Sequence, residues 1–490
     1  MRISKSKFIA GCQCVKRLYW QVHALELAAE PDAATEAIIA QGREVGLLAR
    51  QMFPGGVAVG SDGGLDQAIR VTRELVANRD VPAIFEGTFE HGGVLVKVDI
   101  LQRRRDGRWR LIEVKSTTDV RDHHLEDVAI QYRALHRSGV DVASTSLAHI
   151  NRGYIFDGGT IDVRQFFKVR NITRRVVKLQ TRLTFQLRGQ FTVLSMPEAP
   201  DIAPGRHCTD PVTCEFFDRC NPPRPADHTG YLPRLHASAG EELEEMGVES
   251  IHDIPDDFDL TEIQRRAATC VQTGEAWFSP ELRDVLGGLA YPLYFADFET
   301  VNRAVPAFAG MRPYDHLCFQ WSVHEQARPG AAPEHHEFLA PDASDPRREF
   351  IRSLCAALGE SGSIIVYSSF ESQRLSELAR WFPEFADQIS AIQTRLVDLL
   401  PIMREHTYHP AYGGSYSIKS VLPALVPEMT YVGMEVADGR EAGIAWESLV
   451  RGAMEGSERN KIRKALLEYC GQDTLALAML VKRLQFQSKS

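Results

Sequence analysis

The sequence contains no apolar stretch approaching the ~20 residues that span a bilayer, so no membrane-spanning helix is expected anywhere in its 490 residues. The start, Met1-Arg2-Ile3-Ser4-Lys5-Ser6-Lys7, is not followed by the apolar run of ~7–15 residues that marks a secretory leader, and a cytoplasmic location is expected. An excess of positive charge is also missing. The net charge is −9, which excludes a chain that holds nucleic acid by bulk electrostatics and leaves only local basic patches for that role. There is no Gly-x-x-x-x-Gly-Lys-Ser/Thr loop, so a P-loop motor is excluded. No close Cys-x-x-Cys pair occurs, and the cysteine count of 9 is odd. In a cytoplasmic chain, clustered cysteines point to metal more than to disulfides. Repeats and low-complexity tracts are absent.

What is present suits packed domains. Hydrophobic residues make up 44% and charged residues 25%, and a chain of this length predicts two or three domains. Ala34 to Phe53 has helical periodicity and stops at Pro54-Gly55-Gly56. From Val81 to Lys115 the pattern becomes that of strands, with turns at His91-Gly92-Gly93 and Arg105-Asp106-Gly107-Arg108, which predicts a small antiparallel meander. A helix is predicted over Leu125 to Arg137, a strand over Ser144 to Ile150 and a long helix over Lys168 to Arg188. Pro197, Pro200, Pro204, Pro211 and Pro222 mark an irregular, cysteine-bearing stretch. The expected α/β organisation is therefore a first domain over 1–225, a helical connector over 226–288 and a second αβ domain over 289–490.

Three constellations carry chemistry. In the first, Asp99 is read as ending one strand, and Glu113-Val114-Lys115 lies on the next. Residues two apart on a strand share a face, so Glu113 and Lys115 project together and a hairpin partner can bring Asp99 beside them. Paired carboxylates suit a hard divalent cation, and a lysine beside them can orient water or neutralise charge. Glu86 on the preceding strand could add a carboxylate, and Gln131 and Tyr132 on the following helix can reach the site. The segments Val94 to Leu101, Leu111 to Ser116 and Gln131-Tyr132 together resemble the RecB branch of the PD-(D/E)xK nuclease superfamily. That resemblance implies a restriction-endonuclease-like fold with Mg2+ or Mn2+ at the carboxylates.

The second constellation is Cys208, Cys214 and Cys220, evenly spaced, with Cys14 far upstream in Gln13-Cys14-Val15-Lys16-Arg17-Leu18-Tyr19-Trp20. Thiolate quartets bind an iron–sulfur cluster or structural zinc. Cys12 competes with Cys14 as first ligand. One cysteine before the nuclease core and three after it resembles the iron–sulfur RecB-family exonucleases, including the CRISPR-associated type and the AddB nuclease domain, which implies a 4Fe-4S cluster, with structural Zn2+ as the alternative. Cys14 is favoured over Cys12 only because the basic-aromatic run after it matches that family. The downstream trio lacks the close Cys-x-x-Cys step usual in those relatives. Arg170, Arg174, Lys178 and Arg182 recur every fourth residue and would give one helix a basic face, a solvated face or a phosphate track.

In the third, Asp297-Phe298-Glu299 closes an apolar strand, and Glu371 sits where a second strand runs into a helix. Tyr469 and Asp473, four apart, share a helix face. Four acids from three segments can hold two cations for phosphoryl chemistry, with the tyrosine positioning or helping to deprotonate water. Asp398 is a further candidate acid. This order resembles the tyrosine subgroup of DEDD exonucleases, and Ser417 to Pro423 is similar to a segment between their second and third motifs. Glu371 stands where most of that family has Asp. The resemblance implies a ribonuclease-H-like fold and 3′-to-5′ hydrolysis. The expectation is a two-site nuclease acting on DNA with single strands or free ends, in repair, recombination or mobile-element defence, RNA remaining open as a substrate and a helicase or other repair or defence protein as partner. The alternatives are a single-site nuclease whose C-terminal half only binds nucleic acid, and a non-enzymatic subunit of a helicase complex.

Overall fold

The computed structural model describes residues 2–60, 63–452 and 456–488. It is a mixed α/β chain in which no described helix is long and apolar enough to cross a membrane. Contacts divide it into one unit of Met1–Pro223 with Asn302–Asp315 and another of Arg224–Val301 with His316–Ser490. The stretch 226–288, expected as a separate connector, thus falls inside the second unit, and 302–315 falls inside the first.

The first unit runs β1 (Ile3–Ser4), α1 (Lys5–Gln13), α2 (Val15–His23), α3 (Ala33–Arg50), β2 (Val57–Ala58), α4 (Gly64–Ala77), β3 (Ala83–His91), β4 (Val94–Arg103), β5 (Trp109–Lys115), α5 (Asp122–Arg137), β6 (Val142–Ile150), α6 (Val163–Phe166), β7 (Phe167–Asn171), α7 (Thr173–Leu194) and α8 (Phe217–Cys220). The sheet order is β2-β3-β4-β5-β6-β7, with β1 on β4. β3, β4 and β5 form the antiparallel meander, and α5 carries the chain over to β6, parallel to β5. Alternation builds the first half of β4: Val94, Val96 and Val98 are buried on one face while Lys97 is exposed, and beyond Val98 the phase changes, Leu101 staying with that core and Ile100 joining the opposite one. Both sheet faces are covered. Val96, Leu111 and Val128 pack with Leu18 and Leu183 on one side, and Ile100, Ile112 and Ala148 pack with Val45 and Phe166 on the other.

Two readings of the sequence change here. Asp99 lies inside β4 and not at its end. The basic run read as one helix from Lys168 is split. Phe167–Asn171 is β7, antiparallel to β6, and the helix starts only at Thr173. The strand satisfies the backbone edge that β6 would otherwise leave open and buries Phe167.

The second unit contains α9 (Ala237–Glu245), α10 (Glu262–Thr273), β8 (Trp277–Phe278), α11 (Leu282–Gly287), β9 (Leu293–Asn302), β10 (His316–Gln326), β11 (Glu334–Leu339), α12 (Arg347–Leu358), β12 (Ser363–Val366), α13 (Phe370–Trp381), α14 (Ala386–Gln393), β13 (Leu396–Asp398), α15 (Leu399–His406), β14 (Thr407–Tyr408), α16 (Ile418–Leu425), α17 (Gly439–Arg451) and α18 (Gly456–Gln487). Its main sheet has the order β11-β10-β9-β12-β13. β12 is parallel to both β9 and β13, and β10 is antiparallel to β11. β9 is central and covered on both faces, which explains its apolar run. Leu293 and Phe295 join the core that includes Leu477 and Leu480 of α18; Tyr294, Ala296 and Phe298 join the core of α12 and α13. Asp297 and Glu299 share the parity of Phe295 and so lie on the α18 face.

Candidate functional site

In the first unit the β4–β5 ladder pairs Ile100 with Ile112 and Leu101 with Leu111. Beyond that point the Asp99 side chain takes over, its Oδ2 accepting the Val114 N–H at 2.7 Å. Glu113 is 1% exposed, and its carboxylate is surrounded. Lys115 Nζ donates to Oε1 at 2.8 Å, Lys5 Nζ to the same oxygen at 2.9 Å, and Gln131 Nε2 to Oε2 at 2.7 Å. Asp127, one turn before Gln131 on α5, completes the group. It pairs with Lys115, lies 3.2 Å from Lys5 Nζ and accepts from Gln131 at 2.9 Å. The Gln131 Oε1 is buried without a hydrogen-bond partner, so a polar group is left to be satisfied.

Burial alone would raise Glu113, but Lys115 and Lys5 outweigh it and hold this carboxyl well below its ordinary range. Asp99 goes the other way: burial and the neighbouring Glu113 charge push it up to about 7 against the pull of the two lysines. Burial works against the Lys5 ammonium, yet Glu113, Asp127 and Asp99 keep it protonated far above neutrality. Glu86 is not drawn in. The β3–β4 ladder pairs Phe85 with Ile100 and Gly87 with Val98 and skips Glu86, which has φ 57° and pairs with Arg50 at 2.9 Å. Tyr132 stacks on His136 instead of entering the cluster.

In the second unit the acids come from three elements: Asp297 and Glu299 from β9, Glu371 from the first turn of α13, and Asp473 from α18. Glu371 follows a strand-to-helix turn in which Ser368 has φ 138°, a conformation non-glycine residues hold only when their surroundings impose it. On α18, Leu466, Tyr469, Cys470, Asp473, Thr474 and Leu477 form a buried stripe at helical spacing, which carries Asp473 to the acids of β9. Ligand atoms of Asp297, Glu299 and Cys470 lie within 4.8 Å of one another.

None of the four acids has an ion-pair partner among the described residues, and the Glu371 Oε2 is buried without a hydrogen-bond partner. Burial and then the other acids raise each group: Asp297 to about 8 with Asp473 as its main neighbour, Glu299 well above the carboxylate range through Asp297, Asp473, Glu371 and Asp438, and Glu371 likewise through Asp297. Burial lifts Asp473 to about 6, moderated by hydrogen bonds from Tyr431 and Tyr469. Tyr431 donates to its Oδ1 at 2.5 Å. Burial and the Asp473 charge hold the Tyr469 phenol far above its ordinary value, so it keeps its proton. Asp398 caps α15, accepting from Leu400 N at 3.0 Å, and touches the centre only through its field at Glu371.

Sequence reasoning missed Lys5, Asp127, Tyr431 and Asp438. Asp127 had a signal, its position four residues before Gln131 on a predicted helix. Asp438 had one too, as a helix-starting Asp. Lys5 and Tyr431 arrive through tertiary packing alone.

Cys14, Cys208, Cys214 and Cys220 line one cavity with Lys16, Trp20 and Phe216. The upstream helices are tied to the cysteine segment. Gln13 Nε2 donates to the carbonyls of His207 and Val212 at 2.6 and 2.8 Å, and Arg17 pairs with Glu215 at 2.8 Å. Cys12 is not on this cavity; it lies against Gln190 at 3.7 Å, and burial pushes its thiol up to about 12. Of the basic series, Arg170 sits on β7, Arg174 and Lys178 are exposed on α7, and Arg182 pairs with Glu126 at 3.2 Å. They do not form one helical face.

Residues 294–417 match a family described as Domain of unknown function (DUF2779); the match spans most of the second unit's sheet. No curated protein matches the chain. The solved structure described as "Crystal structure of SSO0001" is similar over 41% of this chain and 87% of its own, at 13% identity and a TM-score of 0.19, a likeness too slight to carry a fold or an activity across.

Proposed function

We propose that the chain is a metal-dependent nuclease with two active sites. One is a PD-(D/E)xK centre of RecB type on a restriction-endonuclease-like first unit, and the other is a DEDD-type exonuclease centre on a ribonuclease-H-like second unit. The observation that carries this reading is the second centre. Three buried acids and the half-buried Asp297 gather there with no ion-pair partner among the described residues, a costly arrangement for their charged forms unless cations neutralise it. The orphaned Glu371 Oε2 and the carboxylate oxygens of Asp297 and Glu299 suit Mg2+ or Mn2+, with the Cys470 thiol beside them. A bound ion of this kind supplies an acidified water and positive charge for the attacked phosphate. The chain's own groups do the rest. Tyr431 fixes the Asp473 carboxylate, and Tyr469, still protonated, would turn its one O–H from Asp473 to the incoming water or phosphate oxygen.

In the first unit, Asp99 and Glu113 would hold the cation, Lys115 would orient the nucleophile, and Gln131 would hold the Glu113 oxygen in place. The cysteine quartet suits a 4Fe-4S cluster tying the start of the unit to residues 208–220. Among the described residues no three of the four sulfurs lie within 4.8 Å of one another, whereas one tetrahedral zinc ion at ~2.3 Å from each sulfur needs them about 3.8 Å apart.

The test uses single-stranded DNA and RNA labelled at either end, Mn2+, and anaerobically purified protein. Wild type runs beside Lys115→Ala and beside the double change Asp297→Ala, Glu299→Ala. Each variant should lose a different part of the product ladder by about 10²–10³-fold, the scale for removing one charge-stabilising group. If wild type leaves both nucleic acids whole, the nuclease reading falls and the non-enzymatic subunit replaces it.

A further inference from the structure

Helices α5 and α7 pack side by side in the first unit and run the same way. Gln180 bonds the Ala129 carbonyl at 3.1 Å, and Arg133 bonds Thr184 at 3.1 Å. Near the start of the pair every arginine that reaches across meets an acid: Arg175 lies 3.0 Å from Asp122, and Arg182 lies 3.2 Å from Glu126. Near the end the acids stop and the arginines do not. Arg133, Arg137 and Arg188 line one groove of about 580 Å³ with Leu187 and Phe191, within the ~300–1,000 Å³ of ligand pockets. Among the described residues no acid pairs with any of the three. Burial, and then the charges of Arg137 and Arg188, depress the Arg133 guanidinium. Crowded like charges on a folded surface cost free energy unless something outside the fold offsets them.

We infer that this groove between the ends of α5 and α7 is a binding site for the phosphates of a nucleic-acid strand, placed by the arginine triad Arg133, Arg137 and Arg188. Guanidinium forks match phosphate oxygens, and Leu187 and Phe191 offer an apolar wall to sugar or base. The groove lies on the helix that also carries Asp127 and Gln131. From Asp127 to Arg137 is about 15 Å along the axis, a few nucleotides at ~3.4 Å each. The site therefore holds the strand beyond the carboxylates, and it rests on the nuclease reading.

The test measures fluorescence anisotropy of fluorescein-labelled dT20 and U20 with full-length protein in Mg2+, on a Glu113→Gln, Asp297→Asn background that leaves the strand intact. Replacing all three arginines by Gln should weaken binding about tenfold or more. It should also make the slope of log K against log salt shallower by about 2, at ~0.7 for each phosphate no longer neutralised. The Lys triple should keep the slope, and Arg175→Gln with Arg182→Gln, the acid-matched pair, should change little. Should the Gln triple fail to fold, the exposed pair Arg137→Gln, Arg188→Gln replaces it, with a slope change of about 1.4. An unchanged affinity and slope, with the background protein binding normally, overturns the groove alone. No binding of either strand by the background protein overturns the nuclease reading and the groove with it.

Discussion

The two carboxylate centres solve the same problem in opposite ways. In the first unit Asp99, Glu113 and Asp127 are matched by two ammoniums, Lys5 and Lys115, that the chain brings itself. In the second unit Asp297, Glu299, Glu371 and Asp473 have no such partner among the described residues. Burial raises all four above the ordinary carboxylate range, and like-charged neighbours add to the rise at Asp297, Glu299 and Glu371. The difference teaches what each centre depends on. The first is electrostatically near balance by itself, and a cation of the kind proposed would have to compete with Lys5. At the second, a cation of the kind proposed would have to displace the protons that the raised acids hold.

The largest effect that would break this contrast comes from removing the built-in competitor. On an Asp297→Asn background, Lys5→Met should raise Mn2+ affinity at the first centre by about tenfold, ~1.4 kcal/mol, by isothermal titration calorimetry. An unchanged affinity would show that Lys5 does not compete. Next comes the pH response of the second centre. Asp297 is held at about 8 when folded, against an ordinary 3.8, so the folded chain binds a proton that the unfolded chain gives up. Its contribution to stability is greatest below pH ~4 and is lost as pH rises toward 8. In metal-free protein Asp297→Asn should therefore stabilise at pH 8 by about 1 kcal/mol, a melting-point rise of ~2–4 °C, and the gain should shrink as pH falls to 4. Saturating Mn2+ should reverse the order, because only wild type gains from the ion. Melting curves that stay parallel from pH 4 to 8 would contradict the protonated-acid account. The smallest effect concerns Gly439, where an added Cβ would come 3.1 Å from the Glu299 Oε2. Gly439→Ala should displace that carboxylate slightly and weaken Mn2+ binding roughly two- to threefold, ~0.5 kcal/mol, leaving the first centre untouched.

Much of this was readable from the residues. The alternation of Val94 to Val98, the turn at Gly92-Gly93 and the two-residue step from Glu113 to Lys115 are local signals, and the meander lies where they place it. Asp297 and Glu299 lie together on β9, and Glu371 and Asp473 act on them electrostatically, each from a strand end or helix face that sequence periodicity could locate. What failed was what tertiary pairing decides. Residues 167–171 have helical spacing of charge, yet the open edge of β6 takes them as a strand. Glu86 lies on the right strand, but the ladder skips it and Arg50 claims its carboxylate. Lys5 sits more than 100 positions before the carboxylate it binds, and no local pattern announces such a meeting.

Residues 302–315 have a consequence for how the protein is made. Starting from Asn302, the last residue of β9, they are encoded after Asp297 and Glu299, yet they finish the first unit. The Ala304 N–H donates to Gln41 across a separation of 263 residues, Arg303 pairs with Glu44, and Tyr314 bonds the Ser116 carbonyl. During synthesis the first unit must wait for this segment to emerge before its last apolar seat, filled by Ala304 beside Val45 and Ile100, can close. A fragment cut near residue 225 would lack its own closing piece, so the N-terminal half is not a cassette that can be transplanted or inherited alone.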